Sequence, residues 1–175
     1  LENIRTYKQN QSQMRLDAAT KLVKEIEAHL IDIPEIQIFS VTGDYRRSME
    51  VISRLEFIVL TQEPEKVKNL VGEHLGIPDF EFDVETKYQG LASLIFYLET
   101  GQTDFFLSLY RSTGSEAFIR KYNPVFAKGR EINSEVDLFQ VFGFPYILPE
   151  MREAELLERI HDNRFEGSDI LIDDF

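Results

Sequence analysis

The residues best suited to chemistry lie between Gly43 and Leu60, in the stretch Gly-Asp-Tyr-Arg-Arg-Ser-Met-Glu-Val-Ile-Ser-Arg-Leu-Glu-Phe-Ile-Val-Leu. Its second half, from Arg54, has the composition of a strand. Strand side chains alternate, so Arg54, Glu56 and Ile58 share one face and Leu55, Phe57 and Val59 the other. The first half is a turn with a glycine, an acid (Asp44) and two cations, Arg46 and Arg47. A cationic glycine turn feeding a carboxylate-bearing strand can hold a chain of phosphates beside metal ions. The competing reading makes both arginines surface ion-pair partners of Glu50 or Asp44, and for Arg46 that reading is the stronger.

Several elements must position this stretch. Leu16, Ala19, Leu22, Val23, Ile26 and Leu30 recur at spacings of three and four, which predicts an amphipathic helix from about Met14 to Leu30. His29 near its end is a cation for the helix C-terminus. Ile33-Pro34 breaks the helix, and Ile36 to Val41 is a strand running into Gly43. Pro64 suits the first turn of a helix that ends at Leu75, before Gly76. His74 in its last turn reads as a surface residue. Phe80 to Thr86 alternates apolar and acidic residues and predicts a half-buried strand, with Phe80, Phe82 and Val84 inward and Glu81, Asp83 and Glu85 outward. Further helices are expected at Thr103–Arg111 and Ser115–Tyr122. Short hairpin strands are expected at Val125–Ala127 and Glu131-Ile132, around Lys128-Gly129. Ser134, with Asp137 three residues on, opens a helix that Gly143 closes.

The chain has 175 residues, no cysteine, 14 Phe and a net charge of −12. That length suits one ordinary domain or two small lobes. Without cysteine there is no disulfide, thiolate metal site or Cys nucleophile, which fits a cytoplasmic origin. No run approaches the ~18 apolar residues of a membrane span. Proteins that live on nucleic acid carry basic faces, so this charge argues against tight DNA binding by the chain alone. Residues 1–13 read as a linker and 154–175 as an acidic tail.

Two motifs carry a family resemblance. The stretch from Gly43 resembles the palm signature of family X DNA polymerases, Gly-Ser-x-Arg-Arg-Gly followed by Gly-Asp-x-Asp. Gly43, Arg46 and Arg47 match; Asp44 replaces the serine, Ser48 and Ser53 the glycines, and Arg54 the first metal-binding aspartate. The second motif, Phe-Pro-Tyr-Ile-Leu-Pro-Glu-Met-Arg-Glu at 144–153, is similar to the end of the bacterial family X thumb and matches at Pro145, Tyr146, Ile147, Pro149, Glu150, Arg152 and Glu153. A generic proline turn does not supply that order. The family's helix ending in Tyr-Phe-Thr-Gly is matched by Thr100-Gly101, with Leu98 and Glu99 in place of the aromatics.

The resemblance implies an α+β fold: a nucleotidyltransferase palm (14–89), with a mixed sheet and helices on one face, then a small α/β thumb (90–153). It implies two Mg²⁺ ions held by three aspartates. Counted from Gly43 and Gly101, those positions fall on Arg54, Glu56 and Asp83. Glu56 and Asp83 are thus the vestigial catalytic and metal-binding residues, and Gly43 and Arg47 the phosphate contacts. Positions facing nucleotide and template fall on Phe106 and Tyr110, which read as core. Arg54 puts a positive charge where a dication belongs, and the expectation is a centre in which it bridges Glu56 and Asp83 without metal. Three functions follow: a palm–thumb module descended from template-directed repair synthesis but impaired, acting as a scaffold or DNA-associated unit; an active nucleotidyltransferase using Glu56, Asp83 and Mg²⁺; or a protein-interaction module that does not bind DNA. The implied partners are gapped or primer-template DNA, bound weakly, and other domains of a longer chain, with no membrane.

Overall fold

The computed structural model describes residues 13–90, 92–122, 130–143 and 145–153. Helix α1 (Leu16–Ile31) buries Ala19, Val23, Ile26 and Leu30, the stripe its spacing predicts. Strand β1 (Met14–Arg15) precedes it and pairs antiparallel with β3 (Val51–Ile52). Strand β2 (Ile38–Thr42) runs into the single-turn helix α2 (Gly43–Arg46). Strand β4 (Leu55–Leu60) follows, then helix α3 (Pro64–Leu75). Proline sits in the first turn of α3, and Gly76 closes it in the left-handed conformation at φ 63°. Only glycine takes that conformation without a Cβ penalty.

Beyond α3 come β5 (Thr86–Tyr88), β6 (Ala92–Glu99), α4 (Gln102–Thr113), α5 (Glu116–Lys121), α6 (Glu135–Phe142) and a 3₁₀ turn at Pro149–Met151. Ser115 and Ser134 cap α5 and α6 by accepting from the backbone N–H of Phe118 and Asp137. The main sheet has the order β2-β4-β6-β5. β2 is antiparallel to β4, β4 parallel to β6 and β5 antiparallel to β6. The parallel β4–β6 pair needs a crossover, and α3 lies on it.

The two faces of β4 divide as the alternation requires. Leu55, Phe57 and Val59 join α1 and α3 in the main core with Leu94 and Phe96 of β6. The rings of Phe57 and Phe96 stack with centroids 5.0 Å apart. Ile58 and Leu60 turn the other way and pack on Phe105 and Leu109 of α4. A separate aromatic core of Tyr110, Phe118, Leu138, Phe139 and Ile147 joins α4, α5, α6 and the Tyr146–Arg152 segment. The chain is therefore α+β, with a mixed sheet and helices compatible with a nucleotidyltransferase-like palm and thumb.

Three expectations need correction. Phe80 to Val84 is not a strand: Asp79 and Asp83 take positive φ, 53° and 60°, and β5 starts at Thr86. Phe80 is buried as expected, but Val84 is 54% exposed. The apolar run that the resemblance made a helix ending at Gly101 is strand β6, with both faces covered along its buried first half. β6 lies beside β4 in the main sheet. Glu131 and Ile132 are not in a strand; the rest of the expected hairpin, the tail 154–175 and all of 1–13 except Gln13 lie outside the described residues.

Candidate functional site: an arginine on the strand carboxylate

The register between β2 and β4 sets Thr42 opposite Glu56, so the turn after β2 folds over that carboxylate. Gly43 has φ +65°. A Cβ there would overlap Glu56 Oε2 and lie 2.8 Å from its Cδ. The glycine is thus required twice, by conformation and by close approach. Glu56 is 7% exposed.

Arg54 Nε donates to Glu56 Oε1, and the Tyr97 hydroxyl on β6 donates to the same oxygen at 3.4 Å. Burial raises the Glu56 carboxyl above its ordinary range; the hydrogen bond and charge of Arg54 oppose that without cancelling it, and Asp44 adds to it. The second carboxylate within reach of Arg54 is Glu85, at 3.9 Å, not Asp83. Asp83 is exposed on the loop before β5, and its backbone N–H donates to Phe96 O at 2.8 Å. Partial desolvation lifts its carboxyl.

The turn arginines are both engaged. Arg47 Nη2 meets Asp44 Oδ1 at 2.6 Å, Nη1 donates to Thr113 O at 2.9 Å, and Nε ion-pairs with Glu153 Oε1 at 2.6 Å. Asp44 is thus a partner of Arg47, as the competing reading had it, but the pair is largely buried and not a surface one. Arg46, expected on Glu50 or Asp44, instead makes a two-pronged contact with Glu135 of α6, Nη1–Oε1 at 3.0 Å and Nη2–Oε2 at 2.8 Å, and donates to Thr113 Oγ1. Glu135 also accepts from Arg152 Nη1 at 2.7 Å and from the Tyr146 hydroxyl at 3.3 Å. Burial alone would raise Glu135, but Arg46 and Arg152 outweigh it and hold the carboxyl at about 2. Arg152 is fully buried, its guanidinium carbon 4.9 Å from the Phe139 ring centroid.

Beside Arg54 and Glu56 an open cleft of about 450 Å³ is lined by Tyr97, Arg111, Ser112 and Gly114 among others. Gly114 follows the last residue of α4, so a helix here ends in Thr113-Gly114, whereas Thr100-Gly101 follows strand β6. Thr113 bonds to Thr42 across the turn at 3.0 Å. Phe106 and Tyr110 pack in the core as expected. Among the described residues no three His, Cys, Asp or Glu side chains cluster to hold a metal. Mg²⁺ wants several oxygen ligands in octahedral geometry, and one buried carboxylate already held by a guanidinium does not fit it. Of the residues named from the sequence, Arg54, Glu56 and Gly43 meet in the fold, while Arg47 is held by Asp44, Thr113 and Glu153. Sequence reasoning missed Tyr97, Glu85 and the Glu135 network, whose partners lie up to 89 residues apart.

A mixed sheet whose glycine turn closes on a strand carboxylate is compatible with a nucleotidyltransferase-like palm. The comparison with curated proteins agrees at a distance. The chain is 28% identical over 159 residues to the DNA polymerase/3'-5' exonuclease PolX of Bacillus subtilis (strain 168), a match covering 78% of this chain and 28% of that protein. This supports a distant family X relationship, and the chain spans little more than a quarter of the relative's length. No family model matches the chain. None of its described helices is long and apolar enough to cross a membrane.

Proposed function

We propose that this chain is a family X polymerase-like palm–thumb module whose catalytic centre is impaired, and that it serves as a scaffold or DNA-associated unit beside other domains of a longer protein. One observation carries the reading: Arg54 sits on Glu56, the carboxylate a metal would need. A unit charge pair about 4 Å apart is worth about 4 kcal/mol at an effective dielectric of 20. A dication entering there meets roughly twice that as repulsion and gains no second carboxylate on the same strand face.

The register of α4 adds support. Counted back from Gly114 by the interval that joined Gly101 to Asp83, the third ligand position reaches Phe96 in β6. On the Glu56 side of β6 stand Ser93, Ile95, Tyr97 and Glu99. The two beside Glu56, Ile95 in the ladder and Tyr97, are not carboxylates, and Glu99 lies opposite Leu60 at the far end of the strand, where Ser108 donates to it. On this reading the palm extends to Glu99 and the thumb begins with α4. The active alternative, with Glu56 and Asp83 sharing Mg²⁺, requires Arg54 to leave Glu56.

Paramagnetic resonance of Mn²⁺ titrated into the chain, with and without a deoxynucleoside triphosphate, separates the two. Wild type is expected to leave Mn²⁺ free, and Arg54→Asp to gain binding. Tight Mn²⁺ binding by wild type that the triphosphate strengthens would overturn the impaired reading and favour the active one.

A further inference from the structure

His29 lies in the last turn of α1 and His74 in the last turn of α3. Their ring centroids are 6.3 Å apart and their planes stand at 86°. Both residues are half-buried. Neither imidazole has a hydrogen-bond or ion-pair partner among the described residues. Two adjacent rings on two different helices form a pair that nothing in the Gly43–Glu56 site uses.

The spacing suits a shared ion. A zinc–nitrogen bond of about 2.0–2.1 Å puts a ring centroid about 3.2 Å from the metal. Two such rings stand about 6.4 Å apart when opposed and about 5.2 Å apart at a tetrahedral angle. The observed separation falls within that span. The electrostatics favour a cation too. The C-termini of two helices meet here, each carrying about half a negative charge, and a net charge of −12 concentrates cations around the chain. Imidazole nitrogen selects borderline ions such as Zn²⁺, Ni²⁺ and Cu²⁺, whereas Mg²⁺ and Ca²⁺ prefer oxygen.

We propose that His29 and His74 form a two-imidazole site for a borderline divalent cation of the zinc class, with water completing the shell. The ion clips α1 to α3, the two helices behind the sheet face opposite the Glu56 cleft. The site is independent of the Arg54 centre and stands or falls separately from it.

The chain has three histidines, and the third, His161, serves as the control. Calorimetric titration of the full chain with ZnCl₂ is expected to show one site. His29→Gln and His74→Gln should each weaken it at least tenfold, and His161→Gln should leave it unchanged. The melting temperature should rise by about 5–10 °C at zinc a hundredfold above Kd, reverse with chelator, and stay put with Mg²⁺. The proposal is overturned if wild type takes up no zinc, if the His29→Gln/His74→Gln double variant still binds as wild type does, or if binding vanishes with His161.

Discussion

Gly43 is a residue at which one methyl group would disturb both backbone and site. A left-handed conformation costs a non-glycine residue about 1–2 kcal/mol, and the added Cβ would also press on Glu56, which is walled in by Arg54 and Tyr97. Gly43→Ala should therefore destabilise the chain by about 2–4 kcal/mol in urea unfolding. In a Glu56→Ala background the same substitution should cost only its conformational part, about 1–2 kcal/mol, and a double-mutant cycle reads the difference. Arg54 and Glu56 were legible in the sequence because two residues on a strand mean one face. Asp83 was reached by counting from a Thr-Gly doublet. Two such doublets follow Asp83, at 100–101 and 113–114, and only the folded structure tells which one ends a helix.

Capping residues were the most readable features among the elements. Gly76 and Gly143 both close helices at positive φ, and Ser134 accepts the backbone bond that its spacing predicts. The stretch from Phe80 misled because its alternation satisfies a strand's period, while the aspartates at 79 and 83 take the turn conformations that short polar side chains tolerate. Ala92 to Glu99 misled for the opposite reason. A strand covered on both faces loses its alternation, and periodicity cannot tell it from a buried helix. What no local pattern shows is the joint between α2, α6 and the segment ending at Glu153, since its partners are far apart in sequence. That joint has a pH signature. Glu135 titrates near 2 in the fold against 4.5 without it, so the unfolded chain binds the proton first as acid is added. The contribution is full above about pH 5 and disappears as the pH falls toward 2; it amounts to about 3 kcal/mol. Glu135→Gln should destabilise the chain by about that much at pH 7, and its stability should vary less with pH over that acid window than wild type's does.

At the scale of the whole molecule, charge and internal pairing point the same way. Arg46 and Arg47, the cations that the palm motif would turn toward phosphates, are spent on Glu135, Asp44 and Glu153. With a net charge of −12, the chain should bind gapped DNA weakly. A plot of log affinity against log salt should have a slope no steeper than about −2, corresponding to about two phosphate contacts. A steep slope would mean that these ion pairs open on DNA. The third function, an interaction module that does not bind DNA, corresponds to no measurable slope at all.

The buried Arg152 also sets an order of events during synthesis. Glu135 has one partner, Arg46, almost ninety residues behind it, and another, Arg152, seventeen residues ahead. A nascent chain that has emerged only as far as Gly143 carries the sheet, α1 to α6 and Arg46, but lacks Arg152 and Glu153. Until those two residues emerge, Glu135 has only one of its two guanidinium partners and Arg47 only one of its two carboxylates. The second half of this joint therefore waits for the segment ending at Glu153, and a chain cut at Gly143 would keep the Arg46–Glu135 pair but lack Arg152 and Glu153.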